Sequence, residues 1–172
     1  ADQRALDAEE TTRVRIAMTL LANALQLGGH LDEAQALVVQ SEALHERLTG
    51  GVNDEGIALT NRHSLICALR GDGEGALRHL ARVDALAAAS GEADALGRDR
   101  FPVRVLVLAT AGQPAQALDH AAAMEPHLAS LSDTARVRAI RARALALRLT
   151  GSPESGRSAV EAALSIAAEG GC

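Results

Sequence analysis

Four glycines, Gly29, Gly71, Gly112 and Gly151, stand 42, 41 and 39 residues apart, and each carries the same neighbours. Four residues before each lies an apolar side chain: Leu25, Cys67, Leu108 and Leu147. Five residues after each lies a small one: Ala34, Ala76, Ala117 and Gly156. Glycine ends a helix at low cost because it enters the left-handed conformation freely. A small residue early in the next helix lets two antiparallel helices approach closely, and the apolar residue one turn before the glycine fills the seam between them. Four such units in near-register, at a period within the range of helical repeats, predict four helical hairpins.

The intervening stretches fit that reading. Ala, Leu, Arg, Glu and Gln dominate them and are strong helix formers, while β-branched runs are almost absent. Apolar residues recur at helical spacing, as in Ile16, Leu20 and Ala24, or Leu65, Ala68 and Leu69. Eight helices are expected, at 5–28, 31–49, 53–70, 73–90, 93–111, 114–129, 133–150 and 153–169. Ser152-Pro153-Glu154 reads as a helix start, with a capping residue, a first-turn proline and an acid on the helix dipole. Gln113-Pro114 follows Gly112 similarly, and Asp72 is placed to cap the helix after Gly71. Pro102 falls inside the fifth stretch and is expected to kink or restart it, and Pro126 to end or distort the sixth.

The segment Leu21-Ala22-Asn23-Ala24-Leu25-Gln26-Leu27-Gly28-Gly29-His30-Leu31-Asp32-Glu33-Ala34 resembles a tetratricopeptide repeat, whose turn reads G-x-x-x-E-A. At that turn the second copy carries Gly71-Asp72-Gly73-Glu74-Gly75-Ala76 and the third Gly112-Gln113-Pro114-Ala115-Gln116-Ala117, and in the fourth copy Gly156 replaces the alanine. The resemblance spans most of the chain and departs from the family in two ways. Aliphatic residues such as Leu25, Leu108 and Leu147 stand where the family packs aromatics, and the period is near ~40 rather than ~34. The longer step is similar to repeats in bacterial ATP-dependent transcription activators and in regions attached to bacterial Ser/Thr kinases. The resemblance implies a single domain over 1–172, with repeats at about 5–49, 53–90, 93–129 and 133–169. It also implies an all-α solenoid, a right-handed superhelix with a concave binding face.

Composition removes several kinds of function. The chain has 37 Ala and 25 Leu but no Lys, Trp or Tyr, and one Phe, Phe101. Without lysine it holds no P-loop, no kinase phosphate-anchoring lysine and no Schiff-base amine. Without aromatics it lacks the stacking platforms of single-stranded nucleic-acid binders. A net charge of −5 and a pI near 5.7 argue against attraction to nucleic acid or anionic membranes. Apolar runs such as Val105 to Ala109 are far shorter than the ~18 residues of a membrane span. The first residues lack the basic and apolar regions of a signal peptide, and no Met begins the chain. These features lead us to expect a cytoplasmic segment of a larger protein.

Local motifs offer little chemistry. Gly71-Asp72-Gly73-Glu74-Gly75 is glycine-rich, but it follows a helix and carries acids that would repel phosphate, so it reads as a turn. Two cysteines make no disulfide framework: Cys67 reads as a buried free thiol, and Cys172 follows Gly170-Gly171 at the end. His63 and Cys67 stand four apart on one helix, a spacing that can bind metal, but no third ligand is obvious and no metal or cofactor is expected. His120 and His127 are separated by Pro126, and His30, His45 and His79 read as helix-end or polar-face residues. His63, His79, Asp84 and Glu92 are the only candidates for an enzymatic pocket, and no catalytic residue is assigned.

The arginines stand out. Arg136, Arg138, Arg141, Arg143 and Arg148 lie on the seventh helix, with no acid between Asp133 and Glu154. At ~100° per residue Arg138, Arg141, Leu145 and Arg148 share one face, with Arg136 and Arg143 opposite. In the family's geometry the first helix of each hairpin lines the concave face, which places Asn23, Gln26 and Asn61 comparably. Arginine forks bind carboxylate or phosphate bidentately. The bland alternative is a solvated face, or pairing with Glu154 or Glu161. The family's Lys/Asn/Arg carboxylate clamp is not recognisable here. The expectation is a non-enzymatic module of a signalling or regulatory protein, binding a protein or peptide with an acidic or C-terminal carboxylate group. The alternative is a regulatory domain that senses a small effector. Terminal hairpins with uncapped apolar faces also point to a homodimer formed end to end.

Overall fold

The computed structural model describes residues 2–90, 101–130 and 133–169, and these are all-helical apart from turns. The helices are α1 (Asp2–Leu27), α2 (Leu31–Thr49), α3 (Asp54–Leu69), α4 (Gly73–Ser90), α5 (Phe101–Thr110), α6 (Pro114–Met124), α7 (Asp133–Leu149) and α8 (Pro153–Glu169). A 3-10 helix, Glu125–Ser130, continues from α6.

The four turns share one hydrogen-bond pattern. Gly29, Gly71, Gly112 and Gly151 have φ between +80° and +84°. The N–H after each glycine donates to the carbonyl of the apolar residue four before it: His30 to Leu25, Asp72 to Cys67, Gln113 to Leu108 and Ser152 to Leu147, at 2.8–2.9 Å. Each glycine N–H donates to the carbonyl three residues back. This is the Schellman closure, which satisfies carbonyls that the helix end leaves open. The apolar residue therefore has two roles, packing through its side chain and capping through its carbonyl. Ala34, Ala76 and Ala117 are fully buried in the following helices, and Gly156 is buried at the same place in α8.

Prolines and caps set the other boundaries. Pro114 and Pro153 open α6 and α8. The carboxylate of Asp72 accepts from the Gly75 N–H at 2.8 Å, as expected of a cap. The stretch expected as one helix at 114–129 divides at Met124, because Pro126 has no N–H for the Ala122 carbonyl; the Glu125 N–H takes that acceptor instead. Pro102 lies in the first turn of α5 as described, and residues 91–100, including Glu92, lie outside the described residues.

Each hairpin packs on the next: α2 on α3, α3 on α5, α5 on α7, with α4 also on α5 and α6 on α7. One core runs from Cys67 and Ala76 through Val105, Val107 and Ala117 to Ala142 and Ala146. A second joins Ala22, Ala34, Val38 and Ile66 across the first two hairpins. Alanine fills much of these cores, so the helices approach closely and each residue buries modest area. The α2–α3 connection is held by polar contacts. His45 Nε2 donates to Asn53 Oδ1 at 2.8 Å, the oxygen that also accepts the Gly56 N–H and so caps α3. Beside it, buried Arg15 of α1 pairs with Glu55. The end helices carry exposed apolar side chains, Leu20, Leu21 and Leu27 on α1 and Val160 and Leu164 on α8.

Candidate functional site

The predicted binding residues divide by burial. Arg141 and Arg148 are exposed, and neither has a hydrogen bond or ion pair among the described residues, so the pairing considered with Glu154 or Glu161 is not formed. The side chain of Arg138 lies outside the described residues. Asn23 and Gln26 are half-buried. Leu145 is half-buried and packs on the main core. Asn61 is only 7% exposed, because α3 has neighbours on several sides, so it belongs to packing rather than to an open face. On the other face of α7, Arg143 donates to Glu125 at 2.5 Å.

The glycine-rich stretch is accounted for sterically. A Cβ on Gly73 would stand 2.9 Å from Ala111 Cα of the next hairpin, and one on Gly75 would meet the Asp72 carboxylate that caps α4. These glycines permit close backbone approach, and their positions need no phosphate to explain them.

A second grouping, at the seam of α2, α3 and α4, is not legible from local motifs. Local sequence alone puts His79 and His45 near helix ends or on polar faces. Instead His45 is 2% exposed, and His79 is half-buried with its ring stacked on His63, centroids 3.7 Å apart and planes 27° from parallel. The reason is hairpin symmetry. His63 lies eight residues before Gly71 and His79 eight after it, and antiparallel helices bring positions equidistant from their turn together. That reflection was the signal available in the sequence.

Hydrogen bonds orient the cluster. His63 Nδ1 lies 2.9 Å from Glu42 Oε2, and His63 Nε2 lies 3.3 Å from Gln35 Nε2. The Gln35 carbonyl oxygen accepts from Arg70, which fixes the amide so that its nitrogen faces His63. The network thus assigns Nδ1–H to Glu42 and leaves the Nε2 lone pair facing the Gln35 amide. That amide also donates toward Cys67 Sγ at 3.7 Å. The Thr60 hydroxyl donates to the Gly56 carbonyl, and Glu42 Oε1 is left buried without a hydrogen-bond partner.

Burial alone would push the Glu42 carboxyl up, but the hydrogen bond and charge of His63, helped by the Thr60 hydroxyl and the charge of His79, outweigh it and hold it below its ordinary value. Burial, reinforced by His63, pushes His79 down and favours its neutral ring. Burial raises the Cys67 thiol, helped by the charge of Asp72. Glu42, His63 and Cys67 follow the order of an orienting acid, a base and a nucleophile. Cys67 is only 1% exposed and its thiol is held protonated, with the Gln35 amide donating to both it and the His63 nitrogen. That environment opposes a thiolate nucleophile. It does present one sulfur and two imidazoles together: ligand atoms of His63, Cys67 and His79 all lie within 4.8 Å of one another. Of the other enzymatic candidates, Asp84 is paired with Arg104.

A shallow apolar pocket between α5, α6 and α7 is lined by Val105, Met124, Leu128 and Ile140, with Glu125 and Arg143 also lining it. No described helix is long and apolar enough to cross a membrane. Compared with known proteins, the chain matches no family model, no curated protein and no solved structure.

Proposed function

We propose that this chain is a non-enzymatic helical-repeat module, tetratricopeptide-like and solenoidal, serving protein recognition within a larger cytoplasmic signalling or regulatory protein. Its occupant is a peptide segment with an acidic or C-terminal carboxylate group, gripped on the α7 face by Arg141 and Arg148, with Arg138 on the same helical face. The observation carrying this reading is that Arg141 and Arg148 stand together on one helix face without carboxylate partners. Arg13, Arg15, Arg70, Arg78, Arg82, Arg104 and Arg143 each have a carboxylate within 4.0 Å, while Arg141 and Arg148, like the separate exposed Arg47 and Arg157, have no such partner among the described residues. A guanidinium fork without an intramolecular carboxylate can take a ligand carboxylate bidentately with no ion pair to break first. Gln26 and Asn23 offer polar contacts on the equivalent helix of the first hairpin.

The experiment is fluorescence anisotropy with a panel of acidic peptides ending in a free carboxylate, at low and high salt. Arg141→Glu with Arg148→Glu is expected to weaken binding at least ~10-fold while helicity is unchanged. Unchanged binding by the folded double variant would remove the arginines from the proposal. The second reading, a small-effector sensor, would use the apolar pocket beside Arg143, which must open further to admit more than a water-sized group. A small molecule protected there from solvent, with no peptide affinity on α7, would support it instead.

A further inference from the structure

We propose that His63, Cys67 and His79 form a binding site for a tetrahedral, thiophilic divalent cation, Zn2+ in the first instance, with Glu42 orienting His63 from behind. The ligand set combines a sulfur with two imidazole nitrogens, the donors such an ion prefers. The three ligand atoms lie within 4.8 Å of one another, against the about 3.3–3.7 Å edges implied by zinc–nitrogen and zinc–sulfur bond lengths. An inward shift on the order of 1 Å closes the difference, and half-buried His79 is the ligand that would move. The rings are stacked with planes 27° apart, so His79 must turn out of the stack for both in-plane lone pairs to meet at one ion.

The hydrogen bonds strengthen the assignment. A histidine that binds a metal through one nitrogen commonly donates the other N–H to a carboxylate. His63 has that arrangement, with Nδ1–H on Glu42 and the Nε2 lone pair directed toward the Cys67 side. Gln35 Nε2 now occupies the space between those two atoms, donating to both as a cation would accept from both. On metal binding the amide withdraws toward Arg70, the Cys67 S–H proton passes to solvent, and the sulfur–metal bond forms. The fourth position is left to water on the half-buried His79 side. The cluster is otherwise poorly explained: it places a thiol, two imidazoles and a carboxylate with an unpartnered oxygen in an alanine- and leucine-rich seam. Bound there, the ion would join α3 to α4 and brace the seam they share with α2.

The test is titration of the full chain carrying Cys172→Ser, so that Cys67 is the sole thiol, with Co2+ followed by Zn2+. The expected result is tetrahedral visible bands and a near-ultraviolet thiolate-to-cobalt band, saturating at one ion per chain and lost when Zn2+ is added. Cys67→Ser should abolish the charge-transfer band, and His79→Gln should weaken binding at least tenfold. Zn2+ should raise the melting temperature of the Cys172→Ser chain but not of the chain also carrying Cys67→Ser. If Cys67→Ser does not fold, His79→Gln, altered at a half-buried position, decides the matter. No thiolate band, or Co2+ affinity unaltered in folded His79→Gln, overturns the site and leaves a packed imidazole pair.

Discussion

The imidazoles of His63 and His79 lie face to face, centroids 3.7 Å apart, although the two residues sit on different helices and sixteen positions apart in the chain. Glu42 fixes one of them: with Nδ1–H on Glu42 Oε2, the neutral His63 ring has an unprotonated Nε2. Long-range proton–nitrogen NMR of the neutral ring should show this tautomer. Glu42→Leu should return the ring to a mixture of tautomers, and an Nε2–H form in the unaltered protein would contradict the network.

Gly156 is the member of the small-residue series where alanine would fit worst. A Cβ there would stand 2.9 Å from the Ala144 carbonyl oxygen and 3.0 Å from Arg148 Cγ. Helix propensity alone favours Ala over Gly by up to ~1 kcal/mol. Overpacking against a backbone oxygen costs about 1–3 kcal/mol and should win. Gly156→Ala is therefore expected to lower the urea midpoint without changing the slope of unfolding; a rise would show that α7 and α8 separate easily.

Acid should weaken the fold before the carboxylates titrate. Burial and the Arg104 charge, opposed in part by Asp119 and Asp84, hold His120 below its ordinary pKa of 6.5. The unfolded chain then binds more protons than the folded one just below pH 6.5, so stability is full above that pH and falls as the pH drops toward the folded value. Chemical unfolding measured from about pH 7 to 5 should show the decline, and His120→Gln should make it shallower, with His79, also held below its ordinary value, supplying part of the remainder. Because His120 is partly exposed, the change is expected to be a degree or two in Tm, on the order of a few tenths of a kcal/mol. An unaltered slope in the variant would assign the decline to other groups.

The ends of the hairpin array leave Leu20, Leu21 and Leu27 on α1 and Leu164 on α8 in water. Apolar faces of this kind are covered by a neighbouring repeat or by another molecule. Concentration-dependent light scattering should show self-association, reduced by Leu20→Glu with Leu164→Glu at unchanged helicity. A monomer at high concentration would argue that these faces tolerate solvent.

Much of the fold was legible in the chain because it is written locally. A glycine at positive φ, an apolar residue four before it and a small one five after it satisfy a helix end and a close crossing with near neighbours alone. The observed spans of α2, α4 and α8 coincide with those expected, and the division after Met124 follows from Pro126. The site was less legible. Exposure of Arg141 and Arg148 followed from helical periodicity, but burial of Asn61 depended on the helices surrounding α3. His63 and Cys67 share a helix face and could be paired by spacing. His79 follows from reflecting position 63 about Gly71, but adding Glu42 and Gln35 required knowing how α2 packs on α3, because side-chain proximity across helices is fixed by crossing geometry and rotamer. The sequence alone therefore determined where helices begin, end and turn back, through short-range hydrogen bonds and backbone conformation. Only the tertiary structure decided which polar side chains are removed from water together, since that depends on contacts between residues that the chain order keeps apart.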